Sequence, residues 1–480
     1  MGSQSIKLKA VIDKEKNRVI LAESEGDFIV VLLSFLTMPM GKIIRLTHNQ
    51  LPSLGCMKNL RASVENLDVR RFGTQACKEM LLHPQSGAAT HCKYLKLKID
   101  NTMTEPLSFF YCGNDECVAS KHKLSSHYSS SFCDCGESMK YLLYQLPNAE
   151  SNNIVVSDPR DEGVFVRGLT RLIISDELQL MPPSTTASFS LCAMRGVMDA
   201  NTTEERTFDI RVNEVLNLLK STLVSNTPLT DTLLKQKQVT EWKENLGGGL
   251  RSFIKQEIGE HATEGSSKIC VRLMLSKSKK MVCYAEEGQD FVDLLFSFLT
   301  IPLGHIVKEM RGYPSGGCIT HLYNGSNDQK ETLLNPKVAS GFGYKNQLLG
   351  VGVEAVNQQC YWLRNFPPSI RTHKPAGGTF TTLTMKDPKA PHYKEAISNG
   401  GFVLGPETFI VTDDLTVTLS PVSVLSILNK LKVTFSDIEE RIVYAGNKEA
   451  LQLLIASYIS ESALTDTFTP QKAKTRILKA

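Results

Sequence analysis

Asp27 to Lys42 reads DFIVVLLSFLTMPMGK, and Asp290 to His305 reads DFVDLLFSFLTIPLGH. Strings this alike describe one structural unit written twice. In the first, Phe28, Val31, Leu32, Phe35 and Leu36 recur at spacings of three and four, the period of a helix with one apolar face. Val30 and Leu33 widen that face, so the helix is expected to be buried against its neighbours. Asp27 follows a glycine and is placed to cap the helix start. Pro39 is placed to stop it, because proline lacks an amide hydrogen and crowds the preceding turn. The second string keeps Phe291, Leu294, Leu295, Phe298, Leu299 and Pro302. It puts Asp293 where the first has Val30, which predicts a wetter face there.

The resemblance continues outward. IKLKAVID (6–13) and RVILAES (18–24) flank the polar turn Lys14 to Asn17, and ICVRLMLS (269–276) and MVCYAEE (281–287) flank Lys277 to Lys280 in the same way. Both read as β-hairpins leading into the helix. The numbering offset is 263 at the helix (Asp27 against Asp290) and 262 at Cys56 against Cys318. It falls to 237 at Phe165 against Phe402, and is 235 at Asp231 against Asp466 in the closing LTD motifs. The length difference therefore arises in one place, where the first copy carries most of its cysteines. Beyond it each copy predicts a strand, an acidic turn (Asp176-Glu177; Asp413-Asp414), a second strand and a short helix. A Glu-Glu-Arg element (204–206; 439–441), a strand and a long helix follow.

The expected architecture is α+β: two tandem repeats of a mixed sheet-and-helix unit, the first carrying a four-cysteine zinc-ribbon-like insertion. The first unit covers 1–234, with the insertion at about 93–145. Residues 235–267 contain Gly247-Gly248-Gly249 and read as a linker, and the second unit covers 268–480. A chain of 480 residues is long for one core, which agrees with two units. Its 41% hydrophobic and 22% charged residues are ordinary for a globular protein, and a net charge of +4 neither implies nor excludes a polyanionic partner.

The start MGSQSIKLKA has no apolar signal-peptide core, and Ile6 occupies the position where a myristoylation signal has Ser or Thr. The longest apolar run, Phe28 to Met40, is too short for a membrane span. The expected location is intracellular, cytoplasmic or nuclear, with no membrane association. The 12 cysteines are then expected to be reduced, and the sequon at Asn201 idle.

Four of those cysteines form two close pairs: Cys112 and Cys117 in YCGNDEC, and Cys133 and Cys135 in FCDCG. Two paired sets of thiolates on turns supply a tetrahedral shell for zinc. Gly113 and Gly136, each after a cysteine, would let the backbone fold under the ion. The spacing is x4 and x1 rather than the x2 of ordinary zinc ribbons, and four reduced thiols in a loop is the plainer alternative. His122 and His127 lie between the pairs; either could replace one thiolate, but they read as solvated. Four thiolates close the shell, so the site would be structural. The second copy has only Cys360 in the corresponding stretch and reads as glycine-rich loops there.

No HExxH, GxSxG or phosphate-binding GK[ST] loop is present. Gly350 to Ala355 matches G-x-G-x-x-A but follows a poor strand, and reads as a glycine loop. Ser315, Cys56 and Cys318 have no histidine tied to them by sequence and read as buried or turn residues. Asp176-Glu177 and Asp413-Asp414 read as solvated turn formers, and Glu204-Glu205 and Glu439-Glu440 as exposed charges.

The hairpin followed by DFxxxLxSFLTxPxG, the YC…C and C-x-C-G pairs, the GFVLGP and DDL stretch at Gly401 to Leu415, and the closing LTD motif together resemble the plant proteins catalogued as domain of unknown function 674. The resemblance spans nearly the whole chain. It implies tandem copies and carries over no catalytic residue. The four cysteines match the pattern of that family, and the second copy departs from it.

The expected function is a non-enzymatic interaction or scaffold protein with a protein partner. Two alternatives remain open. One is nucleic-acid binding through the cysteine loop, with Lys121, Lys123, Lys140, His122, His127, Tyr128 and Tyr141 offset by Asp115, Glu116, Asp134 and Glu137. The other is an enzyme with a cleft between the copies, lined by Gly341 to Gly352 and Gly377-Gly378.

Overall fold

The computed structural model describes residues 4–47, 54–92, 95–99, 109–114, 116–117, 124–143, 165, 171–235, 268–310, 318–325, 331–343, 347–354, 357–363, 369–371, 379–390, 400–419 and 422–469. The linker stretch 236–267 and the basic tail lie outside these.

The first half opens with β1 (Ile6–Asp13) and β2 (Arg18–Ser24), then α1 (Gly26–Ser34), α2 (Met40–Leu46), α3 (Met57–Asn66) and α4 (Gln75–Leu82). Three short strands follow, β3 (Phe109–Tyr111), β4 (Leu124–Ser126) and β5 (Tyr141–Leu143). After them come β6 (Leu172–Ser175), β7 (Leu180–Met181), α5 (Thr185–Met194), β8 (Thr203–Ile210) and α6 (Val212–Val224). The second half runs β9 (Ile269–Ser276), β10 (Met281–Glu287), α7 (Gln289–Ser297), α8 (Leu303–Glu309) and α9 (Ile319–Asn324). It continues with β11 (Asn357–Leu363), β12 (Ser369–Arg371), β13 (Thr379–Met385), β14 (Phe409–Thr412) and β15 (Val417–Leu419). It closes with α10 (Val422–Leu431), β16 (Ile438–Ala445) and α11 (Asn447–Ile459).

This is a mixed α+β fold with three sheets. The order β7-β6-β2-β1-β8 in one five-stranded sheet matches β15-β14-β10-β9-β16 in the other. Both are antiparallel throughout. β1 and β9 share the same alternation of buried and exposed positions, residue for residue. The period of two turns Ile6, Leu8 and Ala10 inward and leaves Lys7 and Lys9 in solvent. Each hairpin turn places its last residue, Asn17 or Lys280, in the left-handed region (φ 47° and 53°), which closes the tight reversal.

α1 is buried nearly all round, with Phe28, Ile29, Val31, Leu32 and Leu33 fully enclosed. Each such side chain contributes about 1.5–3 kcal/mol by leaving water. Asp27 does not cap this helix: Glu25 is the N-cap, and Asp27 lies in the first turn, ion-paired with Lys96 at 3.0 Å. Nor does Pro39 mark a simple stop. The chain passes through a 3₁₀ turn at Phe35–Thr37, and Pro39 then precedes α2, where its missing N–H costs nothing. The Asp293 face is not wetter either. Asp293 is 2% exposed and accepts from the Phe402 and Val403 amides at 2.6 and 2.9 Å, so peptide groups replace its water.

One apolar core runs through both halves. The joins between them are reciprocal. Met40 N–H donates to Ile301 O at 3.0 Å and Leu303 N–H to Met38 O at 2.9 Å. Cys56 donates to Ser460 O at 3.0 Å and Cys318 to Ser225 O at 3.2 Å. Asn59 donates to Asp414 O at 2.8 Å, while His321 lies 3.1 Å from Glu177 O. Gly55 (φ 49°) is required here, since a Cβ would come within 2.6 Å of Ser460 O.

The third sheet has the order β12-β11-β13-β4-β3-β5, with β13 and β4 joined in parallel at Thr384–Leu124 and Met385–Ser125. Each half thus contributes three antiparallel strands with its first strand in the middle. The stretch around Cys360 is therefore not a set of glycine loops but β11. Its sequence NQQCYWL, paired with TFTTLTM, has the β-branched and aromatic residues of a strand.

Candidate metal centre

The two cysteine pairs sit on two tight turns at one end of the β3–β5 ribbon. Cys112 directly follows β3. The chain then reverses: Cys117 N–H donates to Asn114 O at 3.1 Å, and Asn114 N–H points at Cys112 Sγ from 3.4 Å. In the second turn Cys133 N–H donates to Glu137 O and Gly136 N–H to Cys133 O, both at 2.9 Å. Gly136 has φ 95°, the conformation expected of it. Gly113 serves a different purpose. A Cβ there would fall 2.0 Å from the Tyr141 ring, so its smallness admits Tyr141 against the turn.

All four Sγ atoms lie within 4.8 Å of one another, and Cys112 and Cys135 are 3.5 Å apart. A tetrahedral shell with metal–sulfur bonds of about 2.3 Å has sulfur–sulfur edges of about 3.8 Å, so the cluster can hold a metal ion with little adjustment. Cys112, Cys117 and Cys133 are buried over Met139, with Phe110 and Leu124 beside them, while Cys135 is exposed. Hydrogen bonding from Cys112 holds the Cys133 thiol down to about 5, against the opposing effect of burial. The same contact, with burial, pushes Cys112 up, and burial with the neighbouring thiols pushes Cys117 up to about 12. Four sulfurs this close cannot all ionise unless a cation sits between them.

His127 is not part of the cluster: its ring packs on Phe109 with centroids 4.6 Å apart. His122, Lys121, Lys123 and Asp115 lie outside the described residues. Asp134, inside the second turn, is ion-paired with Lys386, whose N–H donates to Ser125 O at 2.7 Å. That pair ties the cysteine turn to the strand end of the other half. Tyr128 is buried and offers no stacking face, and Lys140 lies over the Tyr141 ring at 5.9 Å.

The remaining candidates resolve into structural roles. Cys56 and Cys318 are buried, and burial pushes both thiols up, Cys318 to about 12, so neither is a ready nucleophile. Ser315 and Gly377-Gly378 lie outside the described residues. Gly350 and Gly352 belong to an irregular loop in which Val338 N–H donates to Gly352 O at 2.9 Å; among the described residues no strand leads into it. Glu205 pairs with Lys9 at 2.7 Å and Glu439 with Arg441 at 3.0 Å on exposed edge strands.

Asp176 and Asp413 correct the expectation of solvated turns. Both are buried. Asp176 accepts from Thr230 N (2.9 Å), Thr230 Oγ1 (2.8 Å) and Arg18 Nε (2.9 Å). Asp413 accepts from Thr465 N and Oγ1, each at 2.7 Å. The threonines in turn accept from β2 and β10 through Val19 N and Val282 N. The threonine of each LTD motif is thus the hinge-pin between an acidic turn and a central strand. Recurrence of the acidic pair together with LTD is the signal that could have revealed this.

The fold and the cluster define an α+β protein with a four-cysteine group able to hold a metal ion. No described helix is long and apolar enough to cross a membrane. The chain belongs to the family described as protein of unknown function (DUF674), whose model matches residues 2–448. No curated protein and no solved structure matches it.

Proposed function

We propose that this chain is a non-enzymatic interaction or scaffold protein with a protein partner. In this reading it is built from two tandem copies of one unit, 1–234 and 268–480, joined by 235–267. Cys112, Cys117, Cys133 and Cys135 hold a structural zinc in the first copy. The observation that carries the reading is the placement of the four sulfurs within 4.8 Å on a ribbon that shares its sheet with three strands of the second half, which carry no such cluster among the described residues. A closed thiolate shell has no open position for substrate, so the ion would fix the ribbon rather than react. Short strands such as β3 to β5, three residues each, bury little apolar surface and gain most from such a staple. The non-enzymatic part is supported by the polar groups that recur in both halves. Asp176 and Asp413, Thr230 and Thr465, and Cys56 and Cys318 all bind backbone or one another.

Elemental analysis of reduced, purified protein tests the metal. The expected content is about one zinc per chain, lost in Cys133→Ser. Protein that carries no zinc and gives no thiolate-to-metal absorption when titrated with cobalt would overturn the reading.

A further inference from the structure

A cleft of about 960 Å³ opens where β10 ends and α7 begins. One wall is the Gly401–Thr408 loop, which Gly73 N–H (to Phe402 O) and Leu404 N–H (to Arg71 O) bind to the first half, both at 2.9 Å. Ile269, Phe291, Val403, Leu404 and Pro406 give it an apolar lining. Glu287 lies at the wall. It is 4% exposed, and one carboxyl oxygen accepts the Arg272 amide at 2.7 Å. Its other oxygen has no partner among the described residues. That oxygen opens on the cleft, where it is free to accept a hydrogen bond from a ligand.

The surrounding charge decides which ligand. Asp290 and Glu407 also line the cleft, the latter paired with Arg71. The Lys389 ammonium is already engaged by Gly341 O and by Asp387 at 2.7 Å, which leaves Lys268 at the rim. The balance is acidic and unsuited to an anion. The described carboxylates do not converge as metal ligands do, since the four cysteines form the one such group among the described residues. The corresponding cleft of the first half, at the end of β2 and the start of α1, is smaller, about 460 Å³. Ser24 ends β2 as Glu287 ends β10, and the protein supplies its own cations there, Lys96 on Asp27 (3.0 Å) and Arg171 near Glu25 (3.8 Å).

We propose that the second-half cleft binds a small primary amine, its ammonium on the free oxygen of Glu287 and its hydrocarbon stem along Phe291, Val403 and Pro406. Burial pushes the Glu287 carboxyl up to about 8, against the amide of Arg272. An incoming ammonium favours the carboxylate, so binding tightens as pH rises towards 8 while the amine itself stays charged. Lys268, Asp290, Lys389 and Glu407 face the same cleft, and Arg272 and Glu286 lie behind the strand.

The experiment is a titration of the full chain with n-hexylamine, followed by calorimetry at pH 6 and pH 8.5, with 1-hexanol as the uncharged control. Saturable binding of the amine is expected, tighter at pH 8.5, with hexanol at least about tenfold weaker, the size of one charge-assisted hydrogen bond. Glu287→Gln, which matches the protonated carboxyl in shape, should lose about tenfold and abolish the pH dependence. If that variant does not fold, the pH dependence of the parent against hexanol still decides. Equal binding of the alcohol, pH-independent binding, or no saturable binding would overturn the proposal. None of these results bears on the zinc.

Discussion

The two buried aspartates offer an internal comparison. Asp176 has Arg18 beside it, whereas in the second hairpin the residue paired with Ser276, where the first pairs Asp13 with Arg18, is Met281. Burial raises both carboxyls, and it carries Asp413 to about 7. A raised native pKa means the folded state holds the proton more tightly than the unfolded chain. The stability so gained is intact below about pH 4 and is lost as pH rises towards 7. From 3.8 to about 7 the loss is roughly 4 kcal/mol. Asp413→Asn removes that loss. The new amide must donate to Thr465 Oγ1, whose own hydrogen then lacks its acceptor, at about 1–2 kcal/mol. The net gain at pH 8 is about 2–3 kcal/mol, and near pH 5 it is close to zero. For 480 residues unfolding together, about 1 kcal/mol shifts Tm by roughly 1 °C, so Tm should rise about 2–3 °C at pH 8. Asp176→Asn should gain less at pH 8, because Arg18 offsets part of the burial that raises Asp176 and loses its charged partner in the variant. Calorimetric melts of the parent and both variants at pH 5, 6.5 and 8 test this. Asp293 and Glu287 also titrate in this window, but equally in all three proteins. An Asp176→Asn gain at pH 8 as large as that of Asp413→Asn, or an Asp413→Asn gain as large at pH 5 as at pH 8, would refute the reasoning.

Two further outcomes follow from packing. Gly401→Ala would place a Cβ 1.7 Å from Oδ2 of Asp293, a carboxylate that two amides hold in place through Oδ1, so it should cost about 3 kcal/mol or more; a melt within about 1 kcal/mol of the parent contradicts this. In native protein at pH 8, iodoacetamide should label the exposed Cys270 long before Cys56, Cys77, Cys92 or Cys318, which react only on unfolding; peptide mass spectrometry showing early label at Cys56 or Cys318 would count against their burial.

What was legible in the sequence is what local periodicity encodes. The hairpins, the buried helix and its second occurrence, and the cysteine pairs each lie within a window of a few turns or strands, where spacing alone reports the face that is buried. The polar burial was not legible, because its cause is distant. Asp176 meets Thr230 across 54 residues and Asp413 meets Thr465 across 52, and nothing in an acidic turn says that a threonine will arrive. Asp293 looked like a wet position because its partners, the amides of Phe402 and Val403, are over 100 residues away. The shared sheet was hidden for the same reason: Leu124 pairs with Thr384, and a strand edge carries no mark of its partner.

These distant contacts have a common geometry. Cys56 and Cys318, and Asn59 and His321, each reach a backbone carbonyl of the opposite half, as Met40 and Leu303 do through their amides. Helices α3 and α9 are therefore held by the sheet they do not follow in sequence. Separating the halves would strip each helix of these partners and open the common core at Pro39 and Pro302. The burial that makes α1 and α7 apolar on nearly every side belongs to the pair of halves, since a helix lying on a single sheet would keep a polar face.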